Sequence, residues 1–426
     1  MDQTFDIIVI GGGTAGVIAA VQSARANCKT LLVEKNGLPG GTMTASAIAF
    51  PGLFYAWRKQ IISGIGWEIV SQAASESGYP LPEFEKQVGM EDHPRYQVRL
   101  DPLIYAMICE EKMRSAGVSI LYHSMPAEIT PENDGASVTL CTREGLLKFH
   151  AKRVIDCSGD ASATALAGFE VIHPFPCQPG TFSCRLSGYD PEMLDLKALS
   201  AAADQAVAEG KLLYTDLSWN MEAFSDQFLL ARGDNANHIF PKTSPHSAEG
   251  RSALEQDAHS SLLRAYRFLR NQPGMEDLKM EMTAFECGVR ESSVIRGLHT
   301  ITGEEYVSAA EYPDAVCNAF YPIDLHGADG VNPMKLKDGA VPQVPLRALI
   351  PQKSEFLLAA GRCISSDRQA NSALRVQATC MATAQAAAAA ACASVVQNVP
   401  VSQVSVEKVR TLLKEHGAIV PNQGKA

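Results

Sequence analysis

Asp6-Ile7-Ile8-Val9-Ile10-Gly11-Gly12-Gly13-Thr14-Ala15-Gly16 decides how this chain is read. The short apolar run predicts a strand buried in a parallel sheet. The glycines after it permit a tight turn and leave no side chain between the backbone and a bound pyrophosphate. Val17 to Ala26 then predicts a helix whose free N-terminal N–H groups and partial positive charge face that phosphate. A second apolar run, Thr30 to Val33, delivers Glu34 where a carboxylate can accept the hydroxyls of an adenosine ribose. A glycine-rich turn without a ligand is the alternative, and such a turn alone is a weak signal. Strand, turn, helix and acid-terminated second strand within about thirty residues form a specific one.

The rest of the composition narrows the class. A chain of 426 residues can build two or three domains, and 46% hydrophobic with 20% charged residues is ordinary for a globular protein. A net charge of -10 and the lack of basic blocks argue against a nucleic-acid partner. Eleven cysteines are scattered without a CxxC pair or metal-ligand spacing, which suits reduced thiols in a cytoplasm and no metal site. No charged-then-apolar leader precedes the first strand. The run Ala382 to Ala393 is too short and too weakly apolar to span a bilayer. A cytoplasmic enzyme with no membrane span is expected.

Along the chain, segments 1–54, 100–170 and 344–426 are expected to assemble one nucleotide-binding domain. A variable insertion at 55–99 and a substrate or cap domain at 171–343 interrupt it. The expected fold is α/β, a Rossmann-like domain built from discontinuous pieces with an inserted α+β domain. Asp101-Pro102 opens a helix to Ser115, with an acid cap and proline in the first turn. Val118 to Tyr122 predicts a strand, Ser137–Thr142 with Leu146–His150 a hairpin, and Arg153 to Cys157 a further buried strand. The middle mixes a strand at Gly180–Leu186 with helices at Asp195–Glu209 and Ser252–Asn271. Phe356 to Arg362 returns as a strand entering a Gly-Arg turn. Val376–Val396 and Val404–His416 complete the helices.

Several separated motifs together resemble one family, the FAD-dependent oxidoreductases of the glutathione-reductase-like superfamily, distantly similar to fumarate reductase flavoproteins. They are Gly11–Gly16 with Glu34, Leu38–Thr44, Val154–Asp160, Arg290-Glu291-Ser292, Tyr321–Gly327, and Leu358–Ser365 running on through Arg375–Cys380. The resemblance covers nearly the whole chain and implies FAD as cofactor. Two departures stand out. Ala384-Gln385-Ala386-Ala387-Ala388 lacks both glycines of the family's Gly-Gln-Ala-Ala-Gly, and Val294 interrupts a run that is usually richer in arginine.

The resemblance implies that Gly11, Gly13, Thr14, Ala15 and Gly16 carry the pyrophosphate, and Glu34 with Lys35 the ribose. Gly40, Gly41, Thr42 and Met43 pass near the flavin. Ala127 contacts the adenine by backbone. Ser158, Gly159 and Asp160 lie near the ribityl or pyrophosphate region, with Asp160 as a helix cap the alternative. Gly361, Arg362, Arg375, Val376 and Gln377 close over the ribityl chain and the isoalloxazine. No His or Cys lies between Glu34 and Gln60, so non-covalent binding is expected. There is no second GxGxxG and no Cys pair after the Glu34 strand, so the substrate is expected to react directly at the flavin.

Oxidation by hydride loss needs a base, and His326 is the first candidate, oriented by Asp324 two residues away. A histidine satisfied at a turn is the alternative. Arg290 either anchors a polar or anionic substrate or pairs internally with Glu291. Arg347 and Arg362 are further anion-clamp candidates, and His93 and His299 carry no motif. Trp57, Trp67 and Tyr96 line a pocket or belong to the core. The expected activity is oxidation of a small polar metabolite. The alternative is reduction of an activated double bond, with Arg290 or Arg375 as proton donor. An RNA-modifying flavoprotein is disfavoured by the acidic balance. Homo-oligomerisation and the electron acceptor (oxygen, quinone or protein) stay open.

Overall fold

The computed structural model describes residues 3–86, 89–219, 224–235, 237–331 and 333–421. The opening motif forms strand β1 (Thr4–Ile10), helix α1 (Thr14–Arg25) and strand β2 (Thr30–Val33). Helix α2 (Pro102–Ser115) starts at Asp101, whose carboxylate accepts from the N–H groups of Leu103 and Ile104. Strands β3 (Ser119–Leu121), β4 (Met125–Glu132), β5 (Gly135–Thr142) and β6 (Gly145–Asp156) follow. The chain returns to this sheet as β7 (Leu357–Ala359). The strand order is β3-β2-β1-β6-β5-β4, with β7 also paired to β6.

The two expected segments Leu146–His150 and Arg153–Cys157 are one continuous strand, β6. Its first half pairs antiparallel with β5, and its last residues pair parallel with β7. β6 lies parallel to β1 along most of its length. β4, which carries Pro126 and Pro131, had no expected counterpart. It is the edge strand, where a missing N–H costs no ladder bond. In register, Ile10 faces Val33 on one side and Asp156 on the other, and Asp156 faces Ala359. Gly11, Glu34, Cys157 and Ala360 therefore all leave the sheet at its carboxyl edge, where open α/β sheets bind ligands.

Alternation along β1 splits the core in two. Ile8 and Ile10 pack with Leu31, Phe149 and Val154 on one face. Ile7 and Val9 pack on the other with α1 and the helix α3 (Gln377–Gln397). α3 is long and apolar enough to cross a membrane, yet 89% of its apolar window is buried inside the protein. Its alanines let it lie close to α1. Where the family's glycines are absent, Gln385 accepts from the Ile65 N–H and donates to Gln22 Oε1 and to the His416 carbonyl.

Residues between 182 and 289 bury a separate core that includes Phe182, Phe228, Leu254 and Leu262. Residues from Ile301 to Ile350 pack instead on the α1–α3 core, as does the 55–99 segment through Ile65, Ile69 and Val98.

Candidate active site

A cavity of about 470 Å³ opens at the carboxyl edge. Gly11, Gly13, Thr14, Ala15, Glu34, Lys35, Gly41, Thr42, Ser158, Gly159, Asp160, Gly361, Arg362, Arg375 and Gln377 all line it. Ala127 does not, although its neighbours Met125 and Pro126 do; Gly16, Gly40, Met43 and Val376 also lie behind the lining.

The glycine turn is built for close approach. Gly11 has φ +98, and a Cβ there would stand 2.6 Å from the Cys157 carbonyl oxygen. A Cβ on Gly16 would stand 1.7 Å from the Gly11 carbonyl oxygen, so Gly16 serves helix-to-strand packing. Gly13 is different: its Cβ would meet nothing nearer than Gly41 Cα at 3.7 Å. The space that it leaves free belongs to the cavity, at the N-terminus of α1. A dinucleotide's pyrophosphate fits such a cradle of unfilled backbone and helix N–H groups. Glu34 closes the turn from the other side, with Oε2 accepting from the Gly12 N–H at 2.6 Å and Oε1 from the Asn36 N–H at 2.8 Å. Burial raises its pKa against the pull of those two N–H donors.

Further round the wall, Arg362 reaches Asp160 at 2.6 Å and also donates to the carbonyls of Gly159 and Val289. Ser292 donates to the same Asp160 carboxylate. Burial pushes the Asp160 pKa up, but Arg362 and Ser292 more than offset it, leaving the group ionised below the usual carboxylate range. Arg362 is thus committed inside the protein and is not a free anion clamp. Asp160 does not cap the next helix either. Asp156 Oδ2 takes the Thr164 N–H, and Ser158 Oγ takes that of Ser162. Gln377 ties the two nucleotide-facing helices, accepting from Thr14 Oγ1 at 2.7 Å and donating to the Ile48 carbonyl.

Beyond Arg375 lies a second constellation. Asp324 Oδ2 is 3.1 Å from His326 Nε2, and His326 Nδ1 is 2.8 Å from His238 Nε2. Arg375 approaches the same Asp324 carboxylate at 3.8 Å. Arg290 is buried beside them and donates to the Pro179 carbonyl at 2.8 Å. It does not pair with Glu291, whose carboxylate takes Arg368 and the Gln178 N–H. Burial, then repulsion from Arg375, pulls the Arg290 pKa down to about 9. Asp324 falls to about 2: burial raises it, but His326 and the arginines prevail. Burial, then the Arg290 charge, lowers His326 to about 4 and His238 to about 2, so both imidazoles are neutral at pH 7.

The ionised Asp324 can only accept, which assigns the tautomers. His326 donates from Nε2 to Asp324 and accepts at Nδ1 from His238 Nε2–H, so the unprotonated end of the chain is His238 Nδ1. His238 had no sequence signal. It sits in a stretch without a motif and meets His326 only because the 182–289 core folds against this loop. Of the remaining candidates, Arg347 pairs with Asp314 at the surface. His299 lies 3.2 Å from Glu305. His93 Nδ1 donates to the Met90 carbonyl, and the ring meets the Tyr321 ring edge-on. Trp57 and Trp67 pack in aromatic clusters with Phe320, Phe54 and Phe84, and Tyr96 is buried in the α1–α3 core.

A Rossmann-like sheet whose carboxyl edge carries a glycine cradle, an acid at the end of its second strand and an adjoining buried ionic site defines a nucleotide-binding flavoprotein. The family model for FAD dependent oxidoreductases matches residues 6–413, and the chain belongs to that family of FAD-using enzymes. Thioredoxin reductase of Bacillus subtilis (strain 168) is 45% identical over 53 residues, 12% of this chain and 16% of that protein. The Listeria monocytogenes serovar 1/2a thioredoxin reductase is 43% identical over the same length and shares. The chain thus matches well under two thirds of these relatives. Among solved structures, a geranylgeranyl bacteriochlorophyll reductase-like protein from Thermoplasma acidophilum is 15% identical with TM-score 0.45, covering 97% of this chain and 84% of that one. The p-nitrophenol 4-monooxygenase of Pseudomonas putida DLL-E4 is 12% identical with TM-score 0.43, covering 97% and 87%.

Proposed function

We propose that this enzyme oxidises a small polar metabolite, with the Asp324–His326–His238 chain receiving the proton that the substrate gives up. The reading rests on one observation, a continuous hydrogen-bonded chain from a buried carboxylate, itself approached by the cavity-lining Arg375, through two neutral imidazoles. Bound FAD supplies the acceptor for the hydride of the substrate C–H bond. The protein's residues handle the other proton, from the substrate O–H or N–H. His238 Nδ1 takes it while Nε2–H shifts to His326 Nδ1, which leaves the positive charge on His326 with its Nε2–H still held by the ionised Asp324. Asp324 stays ionised, as its depressed pKa requires, and stabilises the imidazolium beside it. His326 acts within this relay rather than as a lone base, since both its ring nitrogens are engaged.

Gly11, Gly13, Thr14, Ala15 and Gly16 would hold the pyrophosphate, Glu34 and Lys35 the ribose, and Arg375, Gln377 and Gly361 the flavin end, without a covalent bond. Segments 1–54, 100–170 and 344–426 would form the cofactor-binding domain, and the location would be cytoplasmic. The test is anaerobic addition of polyols, amines and hydroxy acids to the purified yellow protein. Bleaching of the flavin by one compound class supports oxidation. Reoxidation of pre-reduced flavin by an activated alkene, with no bleaching, would replace it. Arg290, buried beside the Asp324–His326 pair, would be the proton donor in that second reading.

A further inference from the structure

Three charged groups meet at this site, and they do not balance. Arg290 and Arg375 bring two guanidinium charges into a buried region where Asp324 is the anion they share. Glu291 is drawn off by Arg368 and the Gln178 N–H, and Asp160 by Arg362 and Ser292. Two buried donors beside the cluster have no acceptor among the described residues: Arg375 Nε and Gln178 Nε2. Gln178 is 1% exposed, and its other amide atom accepts from the His326 N–H. Buried donors left without acceptors are costly, and protein interiors seldom keep them unless a ligand supplies the missing oxygens.

We propose that the substrate carries a carboxylate, taken by Arg290 and Arg375 with Gln178 as a third donor. This rests on the oxidative reading above only for what happens to the substrate's C–H bond; recognition of the anion stands on the guanidinium pair itself. A carboxylate matches the planar N–H edge of an arginine better than a hydroxyl does, and in a buried site the paired contact is strong. Arg375 also lines the large cavity, so it places the anion at the boundary between the cofactor space and the histidine chain. A bound carboxylate would offset the Arg290 charge that depresses both imidazoles, making the relay more basic when the correct substrate is present.

The test uses the FAD-loaded protein and non-reacting probes. Benzoate and acetate, with benzamide and acetamide as neutral matches, are titrated while the bound-flavin absorbance is followed. The expected result is a saturable spectral change with the acids and at least about tenfold weaker binding of the amides. Arg375→Gln should weaken benzoate at least about tenfold, and Arg375→Lys should recover part of that loss. Arg290→Gln should act like Arg375→Gln. If either variant fails to retain FAD, the acid–amide comparison on the wild-type protein still decides. Equal binding of acids and amides, no spectral change with either, or benzoate affinity unaltered by Arg375→Gln overturns the proposal. Acid binding without bleaching by any compound would remove the oxidative reading and leave the anion site. Bleaching by neutral polyols without acid binding would do the reverse.

Discussion

His238 Nε2 lies 2.8 Å from His326 Nδ1, and the two rings cross at 71°. One ring comes from the segment that builds its own core between 182 and 289, the other from the Tyr321–Gly327 loop. The proton chain exists only while these two parts of the molecule are in contact.

Removing a link in that chain should slow chemistry without emptying the cofactor site. His326→Asn is expected to lower the anaerobic flavin-reduction rate about 10²- to 10⁴-fold, the usual worth of general acid–base catalysis. His238→Asn should do the same, because His238 Nδ1 is the open end. FAD content, measured by absorbance, should stay near wild type in both. An unchanged rate in His238→Asn would show that the second histidine is packing only.

The two imidazoles also give the pH dependence a sign. His326 titrates near 4 in the folded protein and near 6.5 when unfolded. Between those values the unfolded chain binds a proton that the folded one does not. Stability is therefore level above about pH 6.5 and falls as the pH drops toward 4, by on the order of 3 kcal/mol from this one group. Denaturant melts at pH 7 and pH 4.5 check it, and His326→Asn should flatten the slope. In kinetics, the acid limb of kcat should lie above that of kcat/KM, since an anionic substrate offsets Arg290.

Two glycines of the same turn should fail differently. Gly16→Ala puts a Cβ 1.7 Å from a backbone oxygen and should lower stability as well as FAD content. Gly13→Ala meets no protein atom within 3.7 Å, so its Tm without FAD should change little while FAD affinity drops at least about tenfold. Thermal melts of deflavinated protein and FAD titration separate the two.

A polar clasp joins the second core to the segment just after β2. Lys35 reaches Glu286 at 2.6 Å, Asn36 donates to the same carboxylate at 2.8 Å, and Arg251 approaches it at 3.4 Å. Glu286→Gln should speed FAD release several-fold, and added salt should speed it in the wild type but less in the variant, because exposed ion pairs are screened. Stopped-flow loss of bound-flavin fluorescence quenching measures both.

Local signals were legible. The strand, glycine turn, helix and acid from Asp6 to Glu34 fold as their chemistry dictates, and the cavity-lining stretches at Ser158–Asp160 and Gly361–Arg362 lie at strand ends that apolar runs reveal. What could not be read depends on contacts between distant residues. Asp156, rather than Asp160, holds the helix that follows, because a strand-end carboxylate turned back on its own N–H groups looks the same in sequence. Arg290 next to Glu291 suggested a pair, yet Arg290 turns to the Pro179 carbonyl and Glu291 finds Arg368 instead. His238 lies 88 residues from His326 in a stretch without periodicity, so only the tertiary fold brings them together. β4 was missed because its prolines are tolerated at a sheet edge, and edge position is a property of topology.

The central claim is that the cavity holds FAD and that substrate electrons reach it beside the histidine relay. The most direct measurement is the absorbance spectrum of the purified protein before and after acid precipitation, followed by anaerobic addition of hydroxy acids, amines and polyols. A yellow protein that releases FAD and bleaches with a carboxylate-bearing compound is the predicted result. A colourless protein that takes up no added FAD, or a flavin that none of these compounds reduces, would contradict it.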